Sequence, residues 1–158
     1  GQENLNTIVR DILEILKPEM ERKDIRLVSG FYPHPIVGRL NKHLLKVALA
    51  HLVRNAIEAT PHGEISVITA MERNLAEVII RDTGRGMAKE VVARVFEPFY
   101  TTKIGGSGLG MVFVHQIVEE HRGEIALDSQ VGKGTTVTIR LPLRFTEAPV
   151  KKGGFVET

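Results

Sequence analysis

This sequence predicts an α+β domain, a two-layer α/β sandwich with about three helices on one face of a mixed, mostly antiparallel sheet. Three observations carry the prediction. Segments with helical and strand periodicity interleave in the order helix, strand, strand, helix, hairpin, helix, hairpin. Apolar residues make up 42% and charged residues 25% of 158, the composition of one soluble domain with a proper core. Glycines gather in two clusters that bracket a single long loop near the third helix.

Taken in order, Leu5, Ile8, Ile12, Ile15 and Leu16 have helical spacing, with Asn4 or Asn6 as the N-cap. Pro18 is expected to kink this helix or to sit in the first turn of a second one. A strand over Ile25-Arg26-Leu27-Val28 follows, and Tyr32-Pro33-His34-Pro35 enforces an extended connection. From Asn41, a second cap, Leu45, Ala48, Leu49, Leu52 and Ala56 form one stripe of a helix that ends in the turn residues Thr60-Pro61-His62-Gly63. Ile65–Ile68 and Leu75–Ile80 read as a hairpin joined through Glu72-Arg73-Asn74. After the long loop, Leu109, Val112, Phe113 and Ile117 define a helix closed by Gly123 as a left-handed cap. The last hairpin is Glu124–Asp128 and Thr135–Leu141 around Gly132-Lys133-Gly134. Residues 1–143 form the predicted domain and 144–158, with Pro149, Lys151, Lys152, Gly153 and Gly154, a tail or linker.

Composition excludes several functions. There are no cysteines, so disulfides and thiolate metal sites are out. A net charge of +2, with two tyrosines and six phenylalanines, gives no basic, aromatic stripe for nucleic acid. No apolar run reaches membrane-span length, so no membrane contact by this segment is expected.

The informative stretch is Asp82 to Met111: DTGRGM, then VFEPFYTTK, then GGSGLGM. Glycine is costly inside regular elements and useful where a backbone turns sharply or approaches a ligand. A loop of roughly twenty residues inside a compact domain is usually functional. Glycine amides leading into a helix N-terminus suit phosphate. No GxxxxGK[ST] occurs, and Met111 stands where a dinucleotide fingerprint needs its third glycine, so both of those motifs are excluded.

With the asparagine of HLVRNAIEAT upstream, these motifs fall in the order of the N, G1, F and G2 boxes. The chain, over roughly Leu5 to Leu143, therefore resembles the ATP-binding superfamily shared by gyrase, MutL-type repair proteins and sensor histidine kinases. NAIEA and FEPFYTTK look most like the nitrogen-regulation type of histidine kinase. The resemblance implies the Bergerat ATP-binding fold, with ATP and magnesium as ligands.

It also implies roles. Asn55 matches the asparagine whose amide oxygen ligates magnesium, a hard ion that keeps one or two protein oxygens and takes the rest from phosphate and water. Glu58 is a second acidic influence there or a solvated helix residue. His51, one turn before Asn55, stands where the gyrase branch has a general-base Glu; it contacts metal-bound water or phosphate, or is a packed helix residue. Asp82 matches the aspartate that accepts from the adenine amino group, and Gly84 and Gly86 let the backbone pass close to the purine. Arg94, within RVFEPF, resembles a position that reaches the terminal phosphate, with Phe96 and Phe99 as hinges of a lid. Lys103 would meet phosphate as the lid closes. Gly106, Ser107, Gly108, Leu109 and Gly110 would supply amides to the phosphates. Thr135, or its neighbour Thr136, helps hold adenine through a water. Catalysis thus falls to Asn55, His51, Arg94 and Lys103.

The resemblance implies a cytoplasmic protein-histidine kinase domain that presents the terminal phosphoryl of Mg-ATP to an imidazole. None of the six histidines sits in a His-Glu/Asp-x-x-x-Pro context, so the acceptor is expected on a separate dimerisation domain and this chain to be a fragment. A response regulator follows downstream. The isolated domain is expected to be monomeric and the full-length protein a homodimer. A gyrase- or MutL-like ATPase, disfavoured by His51, and a nucleotide-binding module without transfer activity are the alternatives.

Overall fold

The computed structural model describes residues 1–102 and 108–143. In order these form β1 (Gln2–Asn4), α1 (Leu5–Arg22), β2 (Ile25–Gly30), β3 (Val37–Arg39), α2 (Lys42–Ala59), β4 (Gly63–Glu72) and β5 (Leu75–Asp82), then α3 (Lys89–Val92), α4 (Gly110–Glu120), β6 (Glu124–Gln130) and β7 (Gly134–Pro142). The expected tail, 144–158, lies outside the described residues.

Five strands make the main sheet, in the order β2-β4-β5-β7-β6. β2 and β4 run parallel, and every other neighbouring pair is antiparallel, so the sheet is mixed as expected. The parallel pair exists because α2 provides the crossover that such strands require. Alternation places Ile65 and Val67 of β4, Ala76, Val78 and Ile80 of β5, and Val137, Ile139 and Leu141 of β7 on one buried face. The three long helices cover that face, α2 packing between α1 and α4. Leu45, Ala48, Leu49, Leu52 and Ala56 of α2 are all buried, joined by Val53 and Ile57. No helix among the described residues is long and apolar enough to cross a membrane.

Several expectations need correction. α1 is one continuous helix with Pro18 inside it, so Pro18 does not open a second helix. A proline in a helix interior costs about 3 kcal/mol, and burial of Leu13, Leu16 and Met20 on both sides offsets it. Asn4, not Asn6, is the cap, its side chain accepting from Asn6 N–H at 3.0 Å. β1 and β3 form a small separate antiparallel pair that short polar segments gave no reason to expect. At the end of α4 the left-handed residue is Arg122 (φ 58°), not Gly123. Gly123 N–H closes back onto Val118 O at 2.9 Å. The core-facing residues of α4 are Met111, Val114, Ile117 and Val118, whereas Phe113 is 52% exposed.

Two polar anchors hold the helical layer. Asn41 caps α2 by accepting from Leu44 N–H, and its own N–H donates to the buried His121 Nε2 at 3.0 Å. A backbone amide must donate, so His121 carries its proton on Nδ1, facing Ile117 O at 2.9 Å. At the other end, the buried Asn6 donates from Nδ2 to Tyr32 O and His34 O at 3.0 and 3.1 Å. Its Oδ1 accepts from Thr69 Oγ1 at 2.6 Å, and Thr69 in turn accepts from Tyr32 N–H. This network satisfies carbonyls of the proline-flanked 32–35 connection. Asn6→Ala would strand them and is expected to cost about 2 kcal/mol, read as a lower urea midpoint at unchanged slope; a loss under about 0.5 kcal/mol would show the network to be dispensable.

Candidate functional site

Between α2, α4, the C-terminal end of β5 and the start of β7 lies a cavity of about 550 Å³. It is built from the elements that carry the motifs. β5 ends on Asp82, α2 presents His51, Asn55 and Glu58, β7 begins with Thr135, and α4 enters through Gly108, Leu109 and Gly110.

Asp82 is 5% exposed. Its Oδ1 accepts from Gly84 N–H at 2.9 Å and from Thr135 N–H at 3.3 Å. Neither bond uses Oδ2. Burial raises the carboxyl above its ordinary range, opposed by the Gly84 and Thr135 amides and by the charge of Arg85. Thr135 is the residue paired with Asp82 across β5 and β7, and it lines the cavity. Thr136 points to the other face, where its hydroxyl accepts from Arg81 Nε at 3.2 Å. The choice between the two threonines therefore falls on Thr135.

Asn55 donates from Nδ2 to Met111 Sδ at 3.4 Å, which turns the amide nitrogen toward α4 and the oxygen away from it. Glu58 stands one turn further along the same wall. His51 lies against the start of α4: a Cβ on Gly110 would overlap its imidazole ring. Gly110 is thus glycine because His51 packs there. Gly108 (φ +75°) closes the loop, with Phe99 N–H donating to Gly108 O at 3.0 Å. Phe99 itself holds φ 69° and is 75% exposed, a strained corner worth about 1 kcal/mol or more.

Some expected residues stand elsewhere. Gly84 does not line the cavity whereas Gly86 does, and both abut protein backbone, Ala59 O and Gln130 O respectively, where a Cβ would overlap. The Arg94 guanidinium stands outside the cavity wall, 3.0 Å from Glu97 Oε1 and 4.3 Å from the centroid of the Tyr100 ring. Phe96 is half-buried and packs against His115. Lys103, Gly106 and Ser107 lie outside the described residues.

Other functional residues were missed from sequence. Met87, Val91, Val95, Leu127 and Val137 make an apolar wall. Ser129 accepts from Met87 N–H at 2.8 Å and contacts the Thr135 hydroxyl at 2.7 Å. Ser129 shares the inner face of β6 with Leu127 but lines a smaller neighbouring hollow.

The cavity thus joins an apolar wall, one buried carboxylate and the glycine-led start of α4. A family model described as histidine kinase-, DNA gyrase B-, and HSP90-like ATPase matches residues 41–145. The chain therefore belongs to that family. Relatives include sporulation kinase B of Bacillus subtilis, 41% identical over 142 residues, which are 88% of this chain and 33% of that protein. The sensor histidine kinase ZraS of Escherichia coli is 34% identical over 146 residues, 90% of this chain and 31% of the relative. Sporulation kinase E of Bacillus subtilis is 33% identical over 147 residues, covering 90% and 20%. The chain thus spans a third or less of these relatives. The solved catalytic domain of the histidine kinase ThkA superposes with a TM-score of 0.83 at 26% identity, covering 90% of this chain and 95% of that one.

Asp82 gives a signed pH prediction. A carboxyl whose pKa is higher in the folded than in the unfolded state favours folding at low pH, and that contribution is lost as pH rises through the folded pKa. Asp82→Asn keeps an oxygen for both amides and removes the buried charge. It is expected to raise Tm by a few degrees near neutral pH and to lose that advantage as the pH falls through the raised folded pKa toward the unfolded value of about 4. Thermal melts across this range would show it; a difference independent of pH would contradict it.

Proposed function

We propose that this chain is the ATP-binding catalytic domain of a sensor histidine kinase, which transfers the terminal phosphoryl of ATP to a histidine on a separate dimerisation domain for relay to a response regulator. One observation carries the reading: Asp82, Thr135, Asn55 and the glycine-led start of α4 converge on a single cavity. The ionised Oδ2 of Asp82 is an acceptor, so it favours a base with an amino group there and disfavours a carbonyl edge. Ile80, Met87, Leu127 and Val137 offer apolar surface to the ring, and Gly110 begins a helix whose amides suit phosphate.

The residues also fit magnesium. Among the described residues no group of three or more His, Asp or Glu forms an all-protein metal cage. Asn55, with Glu58 one turn on, instead offers the one or two oxygens that a phosphate-held ion takes from protein. When bound, the ion would neutralise phosphate charge. The chain's own part is positioning: Asp82 orients the base, the α4 amides hold the phosphates, and Arg94 and Lys103 are the candidates to meet charge on the moving group. The phosphorus–oxygen bond to ADP breaks as a phosphorus–nitrogen bond to imidazole forms. His51, packed on Gly110, is an imidazole rather than the carboxylate of the gyrase branch, which favours transfer over hydrolysis.

The test follows the labelled terminal phosphate of Mg-ATP with this domain and the segment preceding it in its gene. Acid-labile, base-stable label on that segment is the expected result. Free phosphate from the domain alone would indicate an ATPase instead, and tight binding with neither product a nucleotide-binding module. Asn55→Ala is expected to weaken binding of a non-hydrolysable ATP analogue at least tenfold with magnesium, about 1.4 kcal/mol, and far less in its absence. Equal losses by calorimetry in both conditions would remove Asn55 from the metal.

A further inference from the structure

Residues 84–86 are wedged between the end of α2 and the β6–β7 turn, and Arg85 bonds to both. Its N–H donates to Ala59 O at 3.0 Å, and its carbonyl accepts from Gly132 N–H at 2.8 Å. Its Nη1 donates to Glu58 O at 3.2 Å. The glycines on either side are what let the segment lie so close to both walls. α2 has no basic residue in its own last turn. The negative end of its dipole, where four carbonyls lack helical partners, is therefore met by cations from other elements. Lys23 reaches Ile57 O from α1's end at 2.7 Å, and Arg85 reaches Glu58 O from the cavity side.

We propose that Arg85 is a positioning residue for nucleotide binding: it caps the helix that carries Asn55 and supplies the positive charge beside the Asp82 carboxylate that meets the base. The inference rests on the adenine-nucleotide reading above and adds to it a residue that sets how the carboxylate is presented.

The surroundings of Asp82 single out this charge. Among the described residues, the other ionisable groups lining the cavity are His51, Glu58 and Tyr100. The smaller neighbouring hollow shares Asp82 and Thr135 with the cavity and brings Arg81, Asp128 and Lys133 to its walls. β4 presents Ile65 opposite Asp82, and β7 presents Thr135. Among the described residues, Arg85 is the charged group that opposes the effect of burial on the carboxyl. Arg85 is exposed, so this effect is partly screened and weakens with salt. Its bonds to Ala59, Gly132 and Glu58 couple the base end of the cavity to the wall that carries Asn55.

Arg85→Gln keeps a donor for Glu58 O and removes the charge; Arg85→Lys keeps the charge. Carboxyl-carbon NMR titration of Asp82 reads the charge effect without nucleotide, and calorimetry with a non-hydrolysable ATP analogue reads binding across pH. In Arg85→Gln the Asp82 midpoint is expected to move upward by about half a pH unit or more. Analogue affinity should then fall several-fold relative to the native chain, the deficit growing as pH falls, while Arg85→Lys restores the midpoint. An unmoved midpoint, or an affinity loss equal at every pH, overturns the proposal. A native chain that binds no analogue overturns the nucleotide reading itself, and the Asp82 midpoint then still decides whether Arg85 sets its charge.

Discussion

Asp82 Oδ1 holds Gly84 N–H and Thr135 N–H together, and the fold around the cavity depends on that oxygen. A carboxylate buried at the end of a central strand is unfavourable by desolvation, and two backbone amides with one nearby guanidinium only partly offset it. The arrangement is tolerable because it does two jobs with one group. Oδ1 closes the turn after β5 and ties it to β7, while the second oxygen is not consumed by either bond. A domain that wanted only the turn would manage with a neutral asparagine.

From that point the rest of the site follows by adjacency. Gly84 rests on Ala59 O, so the Asp82 turn is in register with the end of α2; Gly86 rests on Gln130 O, so it is in register with β6. α2 then fixes Asn55, and Met111 of α4 fixes the direction of the Asn55 amide. His51 against Gly110 sets where α4 begins. Each contact is made by backbone or by a short side chain, which leaves little slack for the relative placement of the base and phosphate ends.

Much of this was legible in the sequence where local chemistry decided it. Asn41 before a clean apolar stripe announced α2, and the alternation of β4 and β5 delivered Asp82 to a strand end. Motif order placed Asn55, Asp82 and Thr135 together, and the structure brings all three to one cavity. What failed did so for nameable reasons. α4 is apolar on most sides, with Val112 and Phe113 between the buried Met111 and Val114, so periodicity could not select its inner face. Pro18 was allowed to open a second helix because propensity ignores burial on both sides of it. Gly84 was read as close approach to a purine, yet it stands off the cavity against Ala59 O, while Gly86 both lines the cavity and abuts Gln130 O. The apolar wall and Ser129 carry no motif and emerge only when β6, β7 and the segment after Gly86 are folded together.

The claim at the centre of this account is that a buried acceptor, Asp82, recognises an amino group on the base. It is tested most directly by comparing the affinity of the native chain for ATP and for the same triphosphate of purine lacking the 6-amino group. The account predicts a loss of at least tenfold, about 1.4 kcal/mol, because the buried carboxylate is left without its donor. Equal affinities would contradict it and would return Asp82 to the role of a turn residue.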